Sequence, residues 1–281
     1  MKYIFNSILS KAYWRYIFSL DGLKSILAIF GIIWLIVETL DFFQVYTRDK
    51  YASFAFFVFL IISILVSILL KRPIKSISIL FPEHDLTIEV RIANLFDLSG
   101  ATMISTNTFF EADVAAGKIA VDSLQGQFTA KYYTGSQIEL IKCIKEELSF
   151  LDSASPYPIG TTIPIHTHGK TFYFTAMSVL GEGGNASSSI SQVQDALSGL
   201  WDYVKFKGDL IELVVPIIGT GRGRVKISRK KMIALIAESF VKASVQNKFS
   251  EKLIIAVRPE DAQNFGINLY DIKDHLNQVL K

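Results

Sequence analysis

Residues 211–224 read IELVVPIIGTGRGR, and this stretch decides the fold class. Residues 211–218 are almost continuously apolar, a pattern typical of a strand that is covered on both faces in a largely parallel sheet. A glycine-rich turn follows at once, and residues 228–245 then have the apolar period of a long helix that Ser228 would cap. A buried strand that leads through a turn into a helix is the repeating unit of an α/β domain.

The same alternation continues on both sides of this stretch. The apolar periods predict further strands at residues 86–95, 101–105, 162–165, 172–179 and 252–257, and helices at residues 136–150, 189–203 and from 261 to about 280. Strands that alternate with helices of this length predict an α/β fold, a three-layer α/β/α sandwich with a largely parallel or mixed sheet.

The first quarter of the chain has a different composition. Residues 51–70 carry no formal charge and are mostly Phe, Ile, Leu and Val. A helix of that length rises about 30 Å, the thickness of the hydrocarbon core of a bilayer. Residues 25–40 form a weaker candidate, uncharged up to Glu38. We predict a transmembrane helical hairpin within residues 23–72. A buried helix of a soluble core is the alternative for the later segment, and an interfacial amphipathic helix for the earlier one.

Basic residues precede the first apolar segment and follow the second, and in a hairpin both positions lie on the same side of the membrane. These residues are Lys2, Lys11, Arg15, Lys24, Lys71, Arg72 and Lys75. The positive-inside rule then places the N-terminus and the large C-terminal region in the cytoplasm, and predicts a multi-pass protein of the inner (cell) membrane. Residues 1–22 mix aromatic and basic side chains and are expected to lie on the inner leaflet as an amphipathic arm. Residues 83–281 form the predicted ligand-binding domain.

Charge and composition exclude several classes of function. The formal net charge of +3 gives no argument for nucleic-acid binding. Cys143 is the single cysteine, which excludes an internal disulfide and a cysteine-rich zinc site. We expect it to be a small core residue on a helix. His166 and His168 are spaced to share a strand face and to bind a metal. No third ligand is placed by the sequence, so a polar hairpin tip is favoured and no metal site is predicted.

Candidate catalytic groups are weaker. Glu111, Asp113 and Asp122 are possible acids, with ordinary surface positions as the favoured alternative. Residues 229–231 form a basic run in the first turn of a helix, most often a solvated face. Nucleophile-elbow, kinase and zincin motifs do not occur in the sequence, so no catalytic residue is assigned.

Two glycine-rich loops follow predicted strands and precede predicted helices. In residues 219–223, glycines would let backbone amides approach phosphate oxygens beyond the strand ends, and Arg222 or Arg224 would add positive charge. A tight turn with two solvated arginines is the alternative. Residues 181–189 (GEGGNASSS) form the other loop, with a linker that ends in a Ser189 helix cap as its alternative. Together the loops would form opposite walls of one cleft, which favours a bound pyrophosphate.

Three motifs resemble those of macro domains, the fold that binds ADP-ribose. Residues 93–96 (ANLF) end a strand where macro domains usually have Gly-Asp-Ile-Thr, and residues 103–107 (MISTN) resemble their Val-Asn-Ala-Ala-Asn strand end. Residues 216–223 (PIIGTGRG) resemble the Pro-x-x-Gly-Thr-Gly loop that wraps the diphosphate and distal ribose. With two preceding membrane spans, the order of parts is similar to the membrane-anchored macro-domain effectors of type II Thoeris anti-phage systems.

The resemblance implies a set of ligand-binding residues. Asn94 and Asn107 would orient adenosine and ribose, although Asn94 replaces the aspartate that would contact adenine. Residues 109–111 replace the glycine triplet of hydrolytic macro domains, and residues 121–128 would supply the phosphate loop instead. The phosphates would be cradled through backbone amides of two further segments, namely Ser123, Leu124 and Gly126 in the first, and Gly219, Thr220, Gly221, Arg222 and Gly223 in the second.

The resemblance also implies a function. The chain would sense an NAD-derived signalling nucleotide of the ADP-ribose type, a histidine conjugate of ADP-ribose being one form, made by a partner TIR-domain enzyme. Binding would drive a homo-oligomer that disrupts or permeabilises the lipid bilayer, with Glu38 facing water in the assembly or snorkelling to the interface. No cofactor is implied. The alternatives are a membrane-tethered ADP-ribosyl hydrolase and a structural membrane adaptor without a small ligand.

Overall fold

The computed structural model describes residues 2–9, 11–45, 52–180, 186–208, 211–219 and 225–280. The chain divides into two compact units, the first of residues 1–74 with 263–266 and the second of residues 75–262 with 267–281. Most of the predicted phosphate loop, residues 220–224, lies outside the described residues, and so do residues 181–185 of the other glycine-rich loop.

The described part of the first unit contains four helices, α1 (Lys2–Leu9), α2 (Lys11–Ile17), α3 (Leu20–Phe42) and α4 (Ala52–Leu70). Ser19 caps α3, because its side chain accepts a hydrogen bond from the amide of Gly22. Helix α3 is long and apolar enough to cross a membrane by length and composition, whereas the apolar helix at residues 54–70 is shorter. One candidate span is therefore found in the part of the chain that the structure describes, and the two-helix hairpin stays a prediction.

Helices α2, α3 and α4 pack together within this unit. Phe30 and Phe56 join α3 to α4 with ring centroids 5.5 Å apart. On α2, Ile17 is fully buried and the hydroxyl of Tyr13 donates to the carbonyl oxygen of Ile68, 3.3 Å away. Lys71 donates to the carbonyl oxygen of Asp21 at 3.1 Å. The predicted N-terminal arm is thus held by the ends of α3 and α4.

The second unit is built on a mixed sheet. Its strands are β1 (Ser76–Phe81), β2 (Leu86–Ile92), β3 (Ala101–Asn107), β4 (Thr162–Thr167), β5 (Lys170–Leu180), β6 (Ala186–Ser187), β7 (Leu213–Pro216) and β8 (Lys252–Val257). Their order is β1-β2-β8-β7-β3-β5-β4, with β6 paired to β5. The strands from β2 to β5 in this order run parallel, and β1 and β4 are antiparallel edges. The predicted mixed sheet is confirmed.

Helices cover both faces of this sheet: α5 (Leu124–Tyr132), α6 (Gln137–Ser149), α7 (Ile190–Lys207), α8 (Arg229–Gln246), α9 (Pro259–Asn264) and α10 (Leu269–Val279). Neighbouring residues of a strand point to opposite faces. Phe172 accordingly packs on Phe128 of α5 at 4.8 Å, while Tyr173 packs on Tyr203 of α7 at 5.7 Å. Two helical layers enclose the sheet, and the expected three-layer sandwich is confirmed.

Several predicted boundaries change. The strand at β7 is shorter than residues 211–218, β3 continues to Asn107, and the last helical region is two helices. Strand β1 and helix α5 were not predicted. The sheet therefore begins before residue 83, because β1 pairs with β2 from Ser76 onward. Helix α5 was interpreted as a loop because it is short, has no clear apolar stripe and carries Gly126 in its interior.

A buried carboxylate joins strands β2, β8 and the segment before β7. The side chain of Glu89 is 5% exposed. Its Oε2 accepts a hydrogen bond from Arg91 Nη2 at 2.8 Å and lies 3.0 Å from Lys252 Nζ. Lys252 also lies 3.1 Å from Glu212. Burial by itself raises the pKa of Glu89, but the hydrogen bonds from Arg91 and Lys252 outweigh it, so the pKa lies below its usual value.

We expect Glu89→Gln to lower the free energy of unfolding at pH 7 by about 2 kcal/mol, because the hydrogen bonds to a charged acceptor are weakened. Because the pKa of Glu89 is lowered by folding, the carboxylate contributes fully to the free energy of unfolding above the unfolded-state pKa of about 4.3. This contribution is lost as the pH falls through the folded-state pKa. Urea denaturation at pH 7 and pH 3 should therefore show a deficit that shrinks in acid. An equal deficit at both pH values would contradict this, and exposed Glu251→Gln is the matched control.

Candidate functional site

A cleft of about 570 Å³ lies in the second unit at the carboxyl ends of the parallel strands. Asn94, Asn107, Ser178, Gly219 and Arg258 line it from the ends of β2, β3, β5, β7 and β8 respectively. Parallel strands end at the same edge of a sheet, and ligands of open α/β domains bind at that edge. The volume falls in the range of small-molecule sites.

The N-terminus of α5 forms one wall of this cleft. Ser123 is the helix cap, since its Oγ accepts from the amide of Gly126 at 3.0 Å. The first helical hydrogen bond runs from the amide of Gln127 to the carbonyl oxygen of Ser123, at 2.9 Å. The amides of Leu124 and Gln125 precede that bond and have no intrahelical acceptor, and both residues line the cleft. A helix N-terminus beside a cleft attracts anions.

Gly126 was predicted to bind phosphate through its backbone amide, but the structure gives it a role in packing. Its amide is bonded to Ser123 rather than available to a phosphate. A Cβ at this position would collide with the carbonyl oxygens of Ala120 and Val121. Gly126 therefore allows residues 120–121 to approach α5 closely, which brings the capped end of the helix to the cleft.

Asn94 and Asn107 both line the cleft and both fix a turn. Asn94 Oδ1 accepts from the amide of Phe96 at 3.1 Å and caps a 3₁₀ turn. Asn107 is buried, and its Oδ1 accepts from the amides of Phe109 at 2.9 Å and Glu111 at 3.3 Å. Each carbonyl oxygen is engaged with the backbone, so the NH₂ group is the donor that each side chain can offer to a ligand.

The loop after β7 enters the cleft at Gly219. This residue has φ +73°, and a Cβ there would lie 2.9 Å from Val225 Cγ2. The amide of Val225 donates to the carbonyl oxygen of Gly219 at 2.9 Å. Thr220, Gly221, Arg222 and Gly223, the other predicted members of this loop, lie outside the described residues, so their contacts with phosphate stay a prediction.

Four charged residues that line the cleft were not predicted as site residues, namely Lys118, Arg229, Arg258 and Asp261. Arg229 was interpreted as part of a solvated basic run, but it is half-buried and lines the cleft together with Arg258 and Asp261. Arg258 Nε lies 3.5 Å from Asp261 Oδ2. Burial lowers the pKa of Arg229, and Asp261 opposes that shift. A local signal did exist for Arg229, which follows the Ser228 cap and so begins α8 beside the glycine-rich loop.

The candidate acids have structural partners. Glu111 pairs with Lys118 at 2.9 Å. Asp113 Oδ1 accepts from the amide of Ala116 at 2.8 Å, which lowers the pKa of this carboxyl. Asp122 lines the cleft. Glu111 and Asp113 are partly buried and Asp122 is exposed, and the surface interpretation of the three acids stays a prediction.

The histidines occupy the hairpin between β4 and β5. His166 Nδ1 lies 3.1 Å from Thr171 Oγ1, and His168 Nδ1 lies 2.8 Å from Thr167 Oγ1. The predicted polar hairpin tip is therefore what the structure contains. Within the described ranges, no group of three or more His, Cys, Asp or Glu side chains could hold a metal ion. Cys143 is partly buried and packs against the core, as expected.

Comparison with known proteins agrees with this architecture. The Oceanobacillus iheyensis macrodomain superposes with a TM-score of 0.50 as a point mutant, at 12% identity over 73% of this chain and 100% of that one. The structure of the same macrodomain with ADP has a TM-score of 0.50 and 12% identity, and the match covers 73% of this chain and 97% of that one. These likenesses identify the fold of the second unit as that of a macro domain.

The sequence comparisons are more specific. Thoeris protein ThsA of Bacillus amyloliquefaciens (strain Y2) is 20% identical over 200 residues, which are 66% of this chain and 67% of that protein. Residues 88–258, more than half of the chain, match the family model described as Thoeris protein ThsA, Macro domain. The strands, the cleft and this match lead to one conclusion: the chain belongs to the ThsA macro-domain family of Thoeris proteins.

Proposed function

We propose that this chain is a receptor for an NAD-derived nucleotide of the ADP-ribose type, and that it acts as a membrane-anchored effector of Thoeris anti-phage defence. The observation that carries the proposal is the cleft at the ends of the parallel strands, which the N-terminus of α5 and Gly219 both line. Free helical amides and a glycine with positive φ suit a diphosphate. The similar Oceanobacillus iheyensis macrodomain was solved with ADP, which agrees with this assignment.

In this proposal the diphosphate lies against Ser123, Leu124 and the loop from Gly219 to Gly223, with Arg222 supplying charge. Asn107 donates its NH₂ to the distal ribose and Asn94 to the nucleoside. Gly126 shapes the wall rather than donating. No catalytic residue is assigned, because the Asn107 carbonyl oxygen that would orient a water is held by two backbone amides.

Calorimetry of the full chain in mild detergent tests the ligand. We expect ADP-ribose and its histidine conjugate to bind, and AMP to bind more weakly because it lacks the diphosphate. Absence of binding at millimolar ADP-ribose would refute the proposal. Recovery of unchanged ligand and of intact ADP-ribosylated protein after incubation would separate a receptor from the ADP-ribosyl hydrolase that is the alternative.

Arg229 should contribute to this binding. Its guanidinium is half-buried and lines the cleft, where it can donate charge-assisted hydrogen bonds to a diphosphate. We expect Arg229→Met to weaken ADP-ribose binding about tenfold, which is roughly 1.4 kcal/mol, and Arg229→Lys to weaken it less. Lys230→Met, at the exposed neighbouring position, is the control. Equal affinities of all three variants would remove Arg229 from the site.

The apolar surface of the first unit supports the membrane part of the proposal. Leu27 of α3 and Phe54 of α4 are 66% and 72% exposed, which is unfavourable in water and favourable in lipid. We propose that residues 23–72 cross the inner membrane twice, that residues 1–22 lie at its inner leaflet, and that both termini are cytoplasmic. The cytoplasmic ligand domain then starts at the sheet edge near residue 75 rather than at 83.

The single cysteine makes this topology testable. A membrane-impermeant thiol reagent applied to spheroplasts should leave Cys143 unlabelled until the membrane is permeabilised. In a Cys143→Ala background, Gln44→Cys lies in the connection after α3 and should be labelled in intact spheroplasts. Labelling of Cys143 from outside, or protection of Gln44→Cys, would reverse or abolish the proposed spans.

We also propose that the ligand favours a homo-oligomer that damages the membrane, and that a TIR-domain enzyme supplies the signal. Two spans are too few to line a pore in one copy, so permeabilisation needs several. Ligand can change the state of the chain only if the assembled state binds it more tightly. Vesicles that contain the chain should therefore release a trapped dye when ADP-ribose or its histidine conjugate is added, and not with AMP. Ligand-independent release would contradict this coupling.

A further inference from the structure

The two ends of the cleft differ in chemistry. At the ends of β3 and β5, the lining is rich in hydroxyl and carboxamide groups, namely Ser105, Thr106, Asn107 and Ser178. At the ends of β2 and β8, the polar lining includes Asn94, Arg258 and Asp261 beside the apolar Leu95, and Arg229 interacts electrostatically with Arg258 and Asp261. The sheet order places Gly219, after β7, between these two ends.

This arrangement orients a nucleotide. If a diphosphate lies near Gly219, the two halves of the ligand extend toward opposite ends of the cleft. A terminal sugar carries many hydroxyl groups and suits the hydroxyl-rich end. A flat base suits the other end, because a guanidinium such as that of Arg258 can stack on an aromatic ring and an apolar side chain can support it.

At the end of the cleft proposed for the base, Asn94 and Asp261 differ in whether their side-chain oxygens can accept a hydrogen bond from a ligand. The Oδ1 of Asn94 is engaged by the amide of Phe96, so Asn94 offers a donor. Asp261 is a carboxylate, which only accepts, and its side chain is 24% exposed in the cleft. Arg258 approaches it with Nε at 3.5 Å from Oδ2 and Nη2 at 3.5 Å from Oδ1, which fixes the side chain without using its remaining lone pairs.

We propose that Asp261 reads the base of the bound nucleotide by accepting a hydrogen bond from an exocyclic amine, so that the cleft selects adenine over hypoxanthine. Arg258 is the positioning residue that holds the carboxylate. The inference rests on the proposed function and goes beyond it, because it assigns base selectivity to one side chain. Hypoxanthine carries a carbonyl oxygen where adenine carries the amine, and that oxygen would face the carboxylate with no proton between them.

The test compares two ligands on the full chain in mild detergent. ADP-ribose and inosine diphosphate ribose differ only at the base. We expect the wild-type chain to prefer ADP-ribose by about tenfold, as for one unmade hydrogen bond. In Asp261→Asn, Arg258 would hold the carbonyl oxygen and the NH₂ group would face the base. That variant should lose the preference or reverse it, and exposed Asp274→Asn should keep it.

Each outcome decides something. An Asp261→Asn variant that keeps the wild-type ratio, or loses both ligands equally, overturns the base-reading role and leaves the receptor function standing. A wild-type chain that binds neither ligand overturns the receptor function as well. Arg258→Met should narrow the ratio and Arg258→Lys should restore part of it, a pattern that a purely structural role would not produce. Because the ratio is measured within one variant, partial loss of folded protein does not affect it.

Discussion

Gly126→Val should reduce ADP-ribose binding about a hundredfold and lower the free energy of unfolding by roughly 1–3 kcal/mol. A side chain at this position meets the carbonyl oxygens of Ala120 and Val121, which are backbone atoms and cannot rotate away. The N-terminal turn of α5 must then move outward, and the amides of Leu124 and Gln125 move with it. Calorimetry gives the affinity, and urea denaturation gives the stability.

A second glycine near the same helix provides the control. Gly135, shortly after α5, has φ +77° and open space around its Cβ position, and asparagine tolerates that backbone conformation. Gly135→Asn should therefore leave both affinity and stability nearly unchanged. If Gly126→Val unfolds the domain without changing the affinity of the folded fraction, the approach of α5 to residues 120–121 is structural and the phosphate site lies elsewhere.

The sequence predicted those features whose signals are local. Strand β8 has the predicted bounds, because its apolar run is bordered by charged residues on both sides. Ser228 caps α8 as predicted, and Ser189 caps α7, which was the alternative for the second glycine-rich loop. In both cases a hydroxyl residue before an apolar period is itself the signal. Strand β3 ends at Asn107, the last residue of the motif that resembles a macro-domain strand end.

Other features depend on contacts between distant parts of the chain. Arg229 lies on α8 and Asp261 on α9, the helices that precede and follow β8 along the chain. Both residues line the cleft. The basic run that contains Arg229 and the isolated acid Asp261 carry no local signal that both residues line one cleft. Helix α5 is a further example, because its stability comes from packing rather than from an apolar stripe of its own. The sequence thus located the cleft by its loops but missed one of its walls and its charged end.

The packing that makes α5 stable is centred on Phe128. This side chain is fully buried, with ring centroids 4.8 Å from Phe172, 5.1 Å from Phe174 and 5.2 Å from Tyr132. Two of these partners lie on β5, so Phe128 holds α5 on the sheet. Its distance along the helix from Ser123 is little more than one turn, and the wall of the cleft depends on this contact.

Phe128→Ala should therefore lower the free energy of unfolding by about 3–5 kcal/mol, the usual loss for a large aromatic core residue that leaves a cavity. Urea denaturation of the full chain measures it. Phe150→Ala, at an exposed position after α6, should change stability by less than about 0.5 kcal/mol. A small loss for Phe128→Ala would mean that α5 is held by its other contacts.

The same variant links the core to the cleft. A ligand that binds only the folded state restores stability, by about 2.7 kcal/mol when its concentration is a hundred times its dissociation constant. Saturating ADP-ribose should thus stabilise Glu89→Gln by the wild-type amount, because Glu89 does not line the cleft. It should stabilise Phe128→Ala by less, because the wall of the cleft depends on Phe128. In Gly126→Val, where the wall itself is displaced, ADP-ribose at the wild-type saturating concentration should recover little. If ligand stabilises Gly126→Val as strongly as Glu89→Gln, α5 does not form the anion-binding wall of the cleft.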